Sequence, residues 1–155
     1  MISSTHLHAM AVHFPIALLI TGFLFEIVSF FYKKQFFRQS ALYLLVLGML
    51  GVLISYIAGH AAGEGVEEGP LNKAMGLHEQ AATISLWLTL ITALLYAGIY
   101  FFKYNNNWLR IIATLLFAGV IGSIARTGYL GGQLVYKHGA GVELALPDFA
   151  TPDEK

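Results

Sequence analysis

Four long apolar segments constrain this chain more than any other feature of its sequence. They run from about Val12 to Tyr32, Ala41 to Gly59, His78 to Phe102 and Trp108 to Leu130. A helix needs about 20 apolar residues to cross a hydrocarbon core of about 30 Å. The chain is 12% charged, about half the share of a soluble domain. The sequence therefore predicts an all-α fold: a four-helix transmembrane bundle in the lipid bilayer, with one integral membrane domain over residues 1–155 and a tail over 131–155.

The charged residues predict how the bundle is oriented. The segments 33–39 and 103–110 hold cations and no acid, whereas eight of the nine acids lie on the other side of the predicted membrane. An excess of Lys and Arg marks the cytoplasmic side. We therefore expect a multi-pass protein of the bacterial inner (cytoplasmic) membrane with both termini on the outer, periplasmic side. The cations are Lys33, Lys34, Arg38, Lys103 and Arg110.

The composition also excludes several kinds of site. The chain has no cysteine, which excludes thiolate metal sites, iron–sulfur clusters with cysteine ligands and covalently attached heme. Its formal net charge is zero and it has no basic stripe, so we expect no nucleic-acid partner.

Histidine is the residue type that points to chemistry. The chain has six histidines, and all of them lie at or beyond the predicted outer ends of the helices. Imidazole is the commonest metal ligand when neutral and titrates near physiological pH. Heme b, a copper or zinc site, and pH sensing or proton relay are therefore the open alternatives. The six are His6, His8, His13, His60, His78 and His138.

Heme b between two helices is the alternative that the spacing favours. His13 and His78 suit it best, because each starts a predicted helix at a similar depth. Arg126 is expected at the same level, where it could bind a heme propionate or snorkel to the surface. His60, His138 and His8 could serve a second heme or replace one ligand. A copper or zinc site would use His13, His78 and His138 with an acid such as Glu79.

Two helix faces and one buried acid complete the pattern. On the third helix, small and polar residues share one face, which predicts that this face points inward and the bulky side meets lipid. On the second helix, Gly48, Gly51, Ser55 and Gly59 form a small-residue seam of the kind that lets membrane helices approach closely. Glu26 lies inside the first segment, as a hydrogen-bonded structural group or as part of a proton path. The inward face contains His78, Ala82, Ser85, Thr89, Thr92 and Tyr96.

The motifs VHFPIALL and GGQLVYKHGAGV, with a histidine opening the third helix, resemble a bacterial family of predicted membrane proteins of unknown function. The resemblance runs from His8 to Val142 and implies four helices. Relatives joined to cytochrome c or Rieske modules imply a role near electron transfer. The sequence departs from the commoner His-Pro opening by having Ala9 after His8. The matching positions are His8, His13, Pro15, His78, Gly132, Tyr136, His138 and Gly139.

The function we expect is electron transfer by a membrane protein that resembles a b-type cytochrome. Two histidines on one iron leave no open position for a substrate, which favours an electron carrier over an enzyme. Its partners would be a cytochrome c or a quinone-linked complex, with a homo-oligomer as a further possibility. One competing interpretation is an accessory or assembly subunit of a larger membrane complex whose histidines bind nothing. Another is a metal or proton transporter, which would need a polar path across the membrane, where the sequence offers little beyond Glu26 in the inner half.

Overall fold

The computed structural model describes residues 4–63, 70–104 and 106–141, and these ranges contain helices and no strand. Together α1 and α2 form an apolar span of 28 residues, and the other three spans have 29, 31 and 32 residues. Each is long enough to cross a bilayer, so the predicted all-α, four-helix transmembrane architecture is confirmed. The helices are α1 (Ser4–Ala11), α2 (His13–Phe31), α3 (Gln35–Gly63), α4 (Pro70–Phe101) and α5 (Asn107–His138).

The four spans are longer than the apolar segments from which we predicted them. The last helix passes through Gly131 and Gly132 and ends at His138, so residues 131–138 are helical where we expected a tail. Gly139 ends it by adopting the left-handed conformation (φ 65°), with its N–H bonded to the Val135 carbonyl, as glycine commonly does after a helix. The rest of the predicted tail, 142–155, and the acids at 64, 67 and 68 lie outside the described residues.

The first span is interrupted about a third of the way along its described length, which runs from Ser4 to Phe31. Helix α1 ends at Ala11, four residues before Pro15, and Val12 separates it from α2. Proline lacks an N–H and its ring clashes with the carbonyl four residues earlier, which accounts for the break at this point. Pro15 therefore lies in the first turn of α2, just after the interruption of the longer span, and His8 lies within α1.

The four spans pack in chain order around a closed ring: α2 on α3, α3 on α4, α4 on α5, and α5 back on α2, with α1 lying on α3. The predicted seam of α3 is the face that meets the first span. A Cβ atom at Gly48 would lie 2.7 Å from the Leu19 side chain, and one at Gly51 would lie 3.0 Å from Pro15. Small residues thus bring these helices together as expected.

The interior of the bundle is partly polar and its exterior is bulky. Thr89 and Thr92 on α4 are fully buried, whereas Trp87 and Leu94 on the same helix are 58% and 64% exposed. The prediction that the small, polar face of this helix points inward is confirmed. The large apolar side chains lie on the outside of the bundle, the surface that contacts lipid in a membrane protein.

Two ends of the bundle carry its ionisable groups. We name the end with His8 and His78 the histidine end, and the end with Glu26 and Arg110 the carboxylate end. Arg110 and Thr127, the α5 residue bonded to His78, are about 26 Å apart along α5 at 1.5 Å per residue. That separation approaches the thickness of the hydrocarbon core. One group of ionisable side chains therefore lies near each membrane surface.

The first and last residues that the structure describes lie at the histidine end. After four spans the chain returns to the side on which it started, and a Cβ at Gly141 would lie 2.7 Å from Thr5. Both described termini thus share one side, and the periplasmic assignment of that side stays a prediction.

Candidate functional site

His8 and His78 form the centre of the candidate site. Their ring centroids are 6.3 Å apart and the ring planes are nearly perpendicular, at 86°. His8 comes from α1 and His78 from α4, so the first and third spans meet through these two side chains. The two histidines are 70 positions apart in the sequence, and the packing of the helices brings them together at the histidine end.

Both imidazoles are held by main-chain carbonyls. Nδ1 of His8 lies 2.9 Å from the Ser55 carbonyl oxygen, and Nδ1 of His78 lies 3.1 Å from the Thr127 carbonyl oxygen. A carbonyl oxygen only accepts, so each Nδ1 carries the hydrogen and donates it. In the neutral ring, Nε2 then has a free lone pair. Metal-binding histidines are commonly oriented in the same way.

Two glycines make room for the rings. A Cβ at Gly59 on α3 would lie 2.8 Å from Cε1 of His8, and a Cβ at Gly131 on α5 would lie 3.2 Å from Cε1 of His78. A side chain at either position would have to displace the imidazole that now packs there. The close approach of each histidine to a facing helix therefore depends on glycine.

Ser55 adds an unsatisfied polar atom to the site. Its side chain is 7% exposed, and its Oγ is buried with no hydrogen-bond partner in the described structure. A buried hydroxyl without a partner is unfavourable, because it has given up its hydrogen bonds to water. Its own carbonyl accepts the His8 bond, so the residue that carries the unsatisfied hydroxyl also holds one imidazole of the pair.

The distance between the two rings can be compared with that of two imidazoles bonded to one ion. One ion bonded to two opposed imidazoles at about 2.0 Å per bond would separate the ring centres by about 6 Å, close to the observed 6.3 Å. Within residues 4–63, 70–104 and 106–141, no group of three or more His, Cys, Asp or Glu side chains is arranged to hold a metal. Zinc usually takes three or four protein ligands, whereas a porphyrin supplies the remaining donors to a two-histidine iron.

The structure does not assemble the other predicted ligands around His78. His13 is exposed, and its Nδ1 bonds to the Ala9 carbonyl of the same span at 2.7 Å. His138 is exposed in the last turn of α5, about 16 Å along the axis from Thr127. The group His13, His78 and His138 that we considered for copper or zinc is therefore not brought together among the described residues. The histidine found next to His78 is His8.

Arg126 lies at the predicted level. It precedes Thr127, whose carbonyl accepts the His78 bond, and its side chain is exposed. Among the residues that the structure describes, no hydrogen bond or ion pair holds it. Its guanidinium therefore remains available to an anionic group near the histidine pair.

His60 and Glu79 flank the site on its α3–α4 side. His60 Nδ1 lies 3.3 Å from Oε1 of Glu79, and the two side chains are 66% and 56% exposed. Such an exposed pair contributes little to stability. It adds a titratable group at the rim of the histidine end but supplies no third ligand to the pair.

The carboxylate end holds a buried ion pair that the sequence did not predict. Oε1 of Glu26 accepts a hydrogen bond from Arg110 Nε at 3.3 Å and one from the Thr114 hydroxyl at 3.1 Å. Nη2 of Arg110 donates to Ser29 Oγ at 2.6 Å, and its guanidinium lies 4.0 Å from the centre of the Phe30 ring. Glu26 is 2% exposed. The network joins α2 to α5 with its charges paired.

A family described as "Predicted membrane protein (DUF2231)" matches residues 4–144 of the chain. No curated protein and no solved structure matches it. The matched range includes all five helices and both groups of ionisable side chains.

Proposed function

The chain belongs to the DUF2231 family of predicted membrane proteins, and we propose that it binds heme b between His8 and His78 and carries electrons near one membrane surface. The perpendicular pair of imidazoles, each bonded through Nδ1 to a main-chain carbonyl, is the observation that carries the proposal. The proposed partner of His78 is therefore His8, whereas the sequence favoured His13.

The protein's own residues would perform three tasks. The Ser55 and Thr127 carbonyls fix the tautomer of each ring, so that both Nε2 atoms present lone pairs. Gly59 and Gly131 allow the helices to approach the rings. Arg126 would neutralise a propionate by bidentate hydrogen bonds.

Bound heme supplies reversible one-electron chemistry. Two histidines that held one iron would leave no open position for a substrate. The arrangement therefore supports an electron carrier rather than an enzyme, with a cytochrome c or a quinone-linked membrane complex as the class of redox partner.

The proposal also includes an orientation. Lys33, Lys34 and Lys103 lie at or near the carboxylate end and acids are absent from those loops, so the histidine end would face the periplasm of a bacterial inner membrane. Because the native chain has no cysteine, single cysteines in place of Lys34 and Lys137 can be labelled in intact cells. A membrane-impermeant maleimide should react only at position 137, and labelling only at position 34 would reverse the assignment.

An absorption spectrum tests the heme. The purified wild-type chain should show a Soret band and, after dithionite reduction, a sharp α-band. His8→Ala and His78→Ala should each lose this low-spin spectrum. His13→Ala is the matched control and should retain it, because the His13 ring is exposed and bonded within its own span.

Three results would contradict the assignment. Wild-type protein without colour or iron would exclude heme and leave the accessory-subunit interpretation, with metal analysis as the check for copper and zinc. Loss of the spectrum in His13→Ala, together with its retention in His8→Ala, would return the site to the pair favoured by the sequence. Retention of the spectrum in all three variants would place the heme elsewhere.

A further inference from the structure

Hydroxyl side chains line the interior of the bundle from one end to the other. Four of them lie on the inward face of α4 at intervals of four, three and four residues, a spacing that keeps them on one side of a helix. Three more face them from α5. All seven are buried or half-buried. We name this set the hydroxyl column: Ser85, Thr89, Thr92, Tyr96, Thr114, Ser123 and Thr127.

The column joins the ion pair at the carboxylate end. The Thr114 hydroxyl donates to Oε1 of Glu26 at 3.1 Å. The Tyr96 hydroxyl oxygen lies 3.5 Å from Thr114 Oγ1. The carboxylate of Glu26 is therefore connected, through one threonine, to a tyrosine on α4.

At the other end the column reaches the histidine pair. Ser85 Oγ lies 2.6 Å from Ser123 Oγ and 3.0 Å from Thr127 Oγ1. The carbonyl of the same Thr127 accepts the bond from His78 Nδ1. The Ser85 hydroxyl thus contacts those of Ser123 and Thr127, and Thr127 links this group to His78 through its carbonyl.

Thr92 and Thr89 occupy the middle of the column, and both are fully buried. Each donates its hydroxyl hydrogen to a carbonyl of α4 at 2.7 Å, which leaves oxygen lone pairs free to accept. From Ser85 to Tyr96 the axial steps are about 6, 4.5 and 6 Å. One water molecule bridges two hydroxyls over about 5.5 Å, since each O–H···O bond measures about 2.7–2.8 Å.

We infer that the hydroxyl column conducts protons between Glu26 and the histidine end. Each hydroxyl, or a water between two of them, accepts one proton and releases another, so no group changes its covalent state. Arg110 on α5 is the charged group that contacts Glu26, and Tyr96 on α4 reaches the same carboxylate through Thr114. The ionisable side chains at the other end are those of His8, His78 and Glu79.

This inference answers the main objection to proton transport that the sequence raised. In the half of the bundle that contains Glu26, Glu26 is not the only polar side chain. Arg110, Thr114 and Tyr96 lie beside it, toward the centre of the bundle. Intramembrane ionisable groups commonly mark ion or proton paths. The pathway needs no bound cofactor, so it can be tested independently of heme binding.

Proton flux into vesicles tests the pathway. The full chain is reconstituted into vesicles that contain the pH-sensitive dye pyranine, and valinomycin with a potassium gradient sets the membrane potential. Wild-type vesicles should change internal pH about tenfold faster than empty ones, equivalent to about 1.4 kcal/mol in barrier height. Glu26→Gln should fall to the rate of empty vesicles. The double variant Thr89→Val, Thr92→Val keeps the side-chain shapes and should do the same.

Thr83→Val is the matched control. Thr83 also lies on α4 and bonds to another span, through Tyr56 at 3.1 Å, but it is not part of the column. Its flux should equal that of the wild type. A wild-type rate no faster than empty vesicles would overturn the pathway, as would equal slowing by Thr83→Val and by the double threonine variant.

Two further readouts keep the outcomes separate. Melting temperature in detergent identifies a variant that is simply unfolded, and the threonine variants test the column if Glu26→Gln fails to fold. His8→Ala separates the two functions, since it should lack the heme spectrum yet still conduct. A colourless wild-type protein that conducts protons would support the pathway alone, and a coloured protein that does not would support heme alone.

Discussion

The two ends of the bundle use polar side chains in opposite ways. At the carboxylate end, Glu26, Arg110 and Ser29 satisfy one another, and the charges are paired inside the protein. At the histidine end, His8 and His78 are each bonded on one nitrogen, while no hydrogen bond among the described residues reaches the other. We call the carboxylate end closed, because its charged groups are bonded to one another, and the histidine end open, because one nitrogen of each ring could bind a ligand.

This difference separates a structural role from a binding role. A closed ion pair in an apolar interior holds its helices together, because removing one partner leaves the other charge buried. An open pair of imidazoles contributes little to stability until something occupies the free lone pairs. We therefore expect substitutions at the carboxylate end to affect folding and those at the histidine end to affect binding.

The largest effect should follow from Arg110→Met. It leaves the buried Glu26 carboxylate without its cation, which costs about 3–5 kcal/mol of unfolding free energy when a buried pair is broken. An SDS titration in mixed micelles, followed by circular dichroism, measures the loss. Adding Glu26→Gln should recover more than half of it, because the double variant buries no charge.

Arg126→Met is the control for this prediction. The same substitution removes an exposed arginine that has no described partner, so the unfolding midpoint should stay unchanged. If the two arginine variants lose the same stability, the ion pair is not what holds α2 to α5, and the contrast between the ends is wrong.

His78→Ala should have a smaller effect on stability. It removes one hydrogen bond to the Thr127 carbonyl, worth about 0.5–1.5 kcal/mol, and leaves no charge stranded. The same SDS titration on cofactor-free protein should show a loss well below that of Arg110→Met. A loss of about 3 kcal/mol or more of unfolding free energy would show that the histidine pair also stabilises the fold.

The contrast between the ends could be predicted only in part from the sequence. Apolar length and helical periodicity are local properties, so the four spans, the inward face of α4 and the seam around Gly48 were predicted correctly. The ends of the helices depend on tertiary packing. Helix α5 continues through Gly131, which packs against His78, whereas Gly139 ends it by adopting a positive φ.

The pairing of side chains needed the tertiary structure. His8 and His13 are five residues apart, which places them about 140° apart around a helix, and a sequence argument based on depth cannot choose between them. Placing the first helix start at Val12 also put His8 outside it. The sequence analysis treated Arg110 only as one of the cations that orient the bundle, because its contact with Glu26 joins residues 84 positions apart.

Gly59→Ala should separate binding from stability. Its methyl group would lie 2.8 Å from Cε1 of His8, so the ring must turn away. Alanine gains up to about 1 kcal/mol over glycine in helix propensity, which offsets the displaced packing. We expect a net change in stability below about 1 kcal/mol and a lost or strongly altered heme spectrum.

Gly132→Ala controls for the change in propensity. A Cβ at Gly132 meets nothing within 4 Å, so the substitution should leave the spectrum intact. Equal spectra in the two glycine variants would show that space beside His8 does not govern binding.

Ser55→Ala should give the smallest effect, and its sign is opposite to the others. The Oγ atom is buried without a partner, so removing it eliminates a desolvation cost without breaking a described bond. In cofactor-free protein we expect the free energy of unfolding to rise by about 0.5 kcal/mol, the scale of hydrogen-bonding terms in membrane helices. With heme bound, the gain should vanish or reverse if the guest supplies the missing partner. A loss of stability in the cofactor-free state would show that the hydroxyl is already satisfied, and Ser55 would no longer mark the histidine end as the open one.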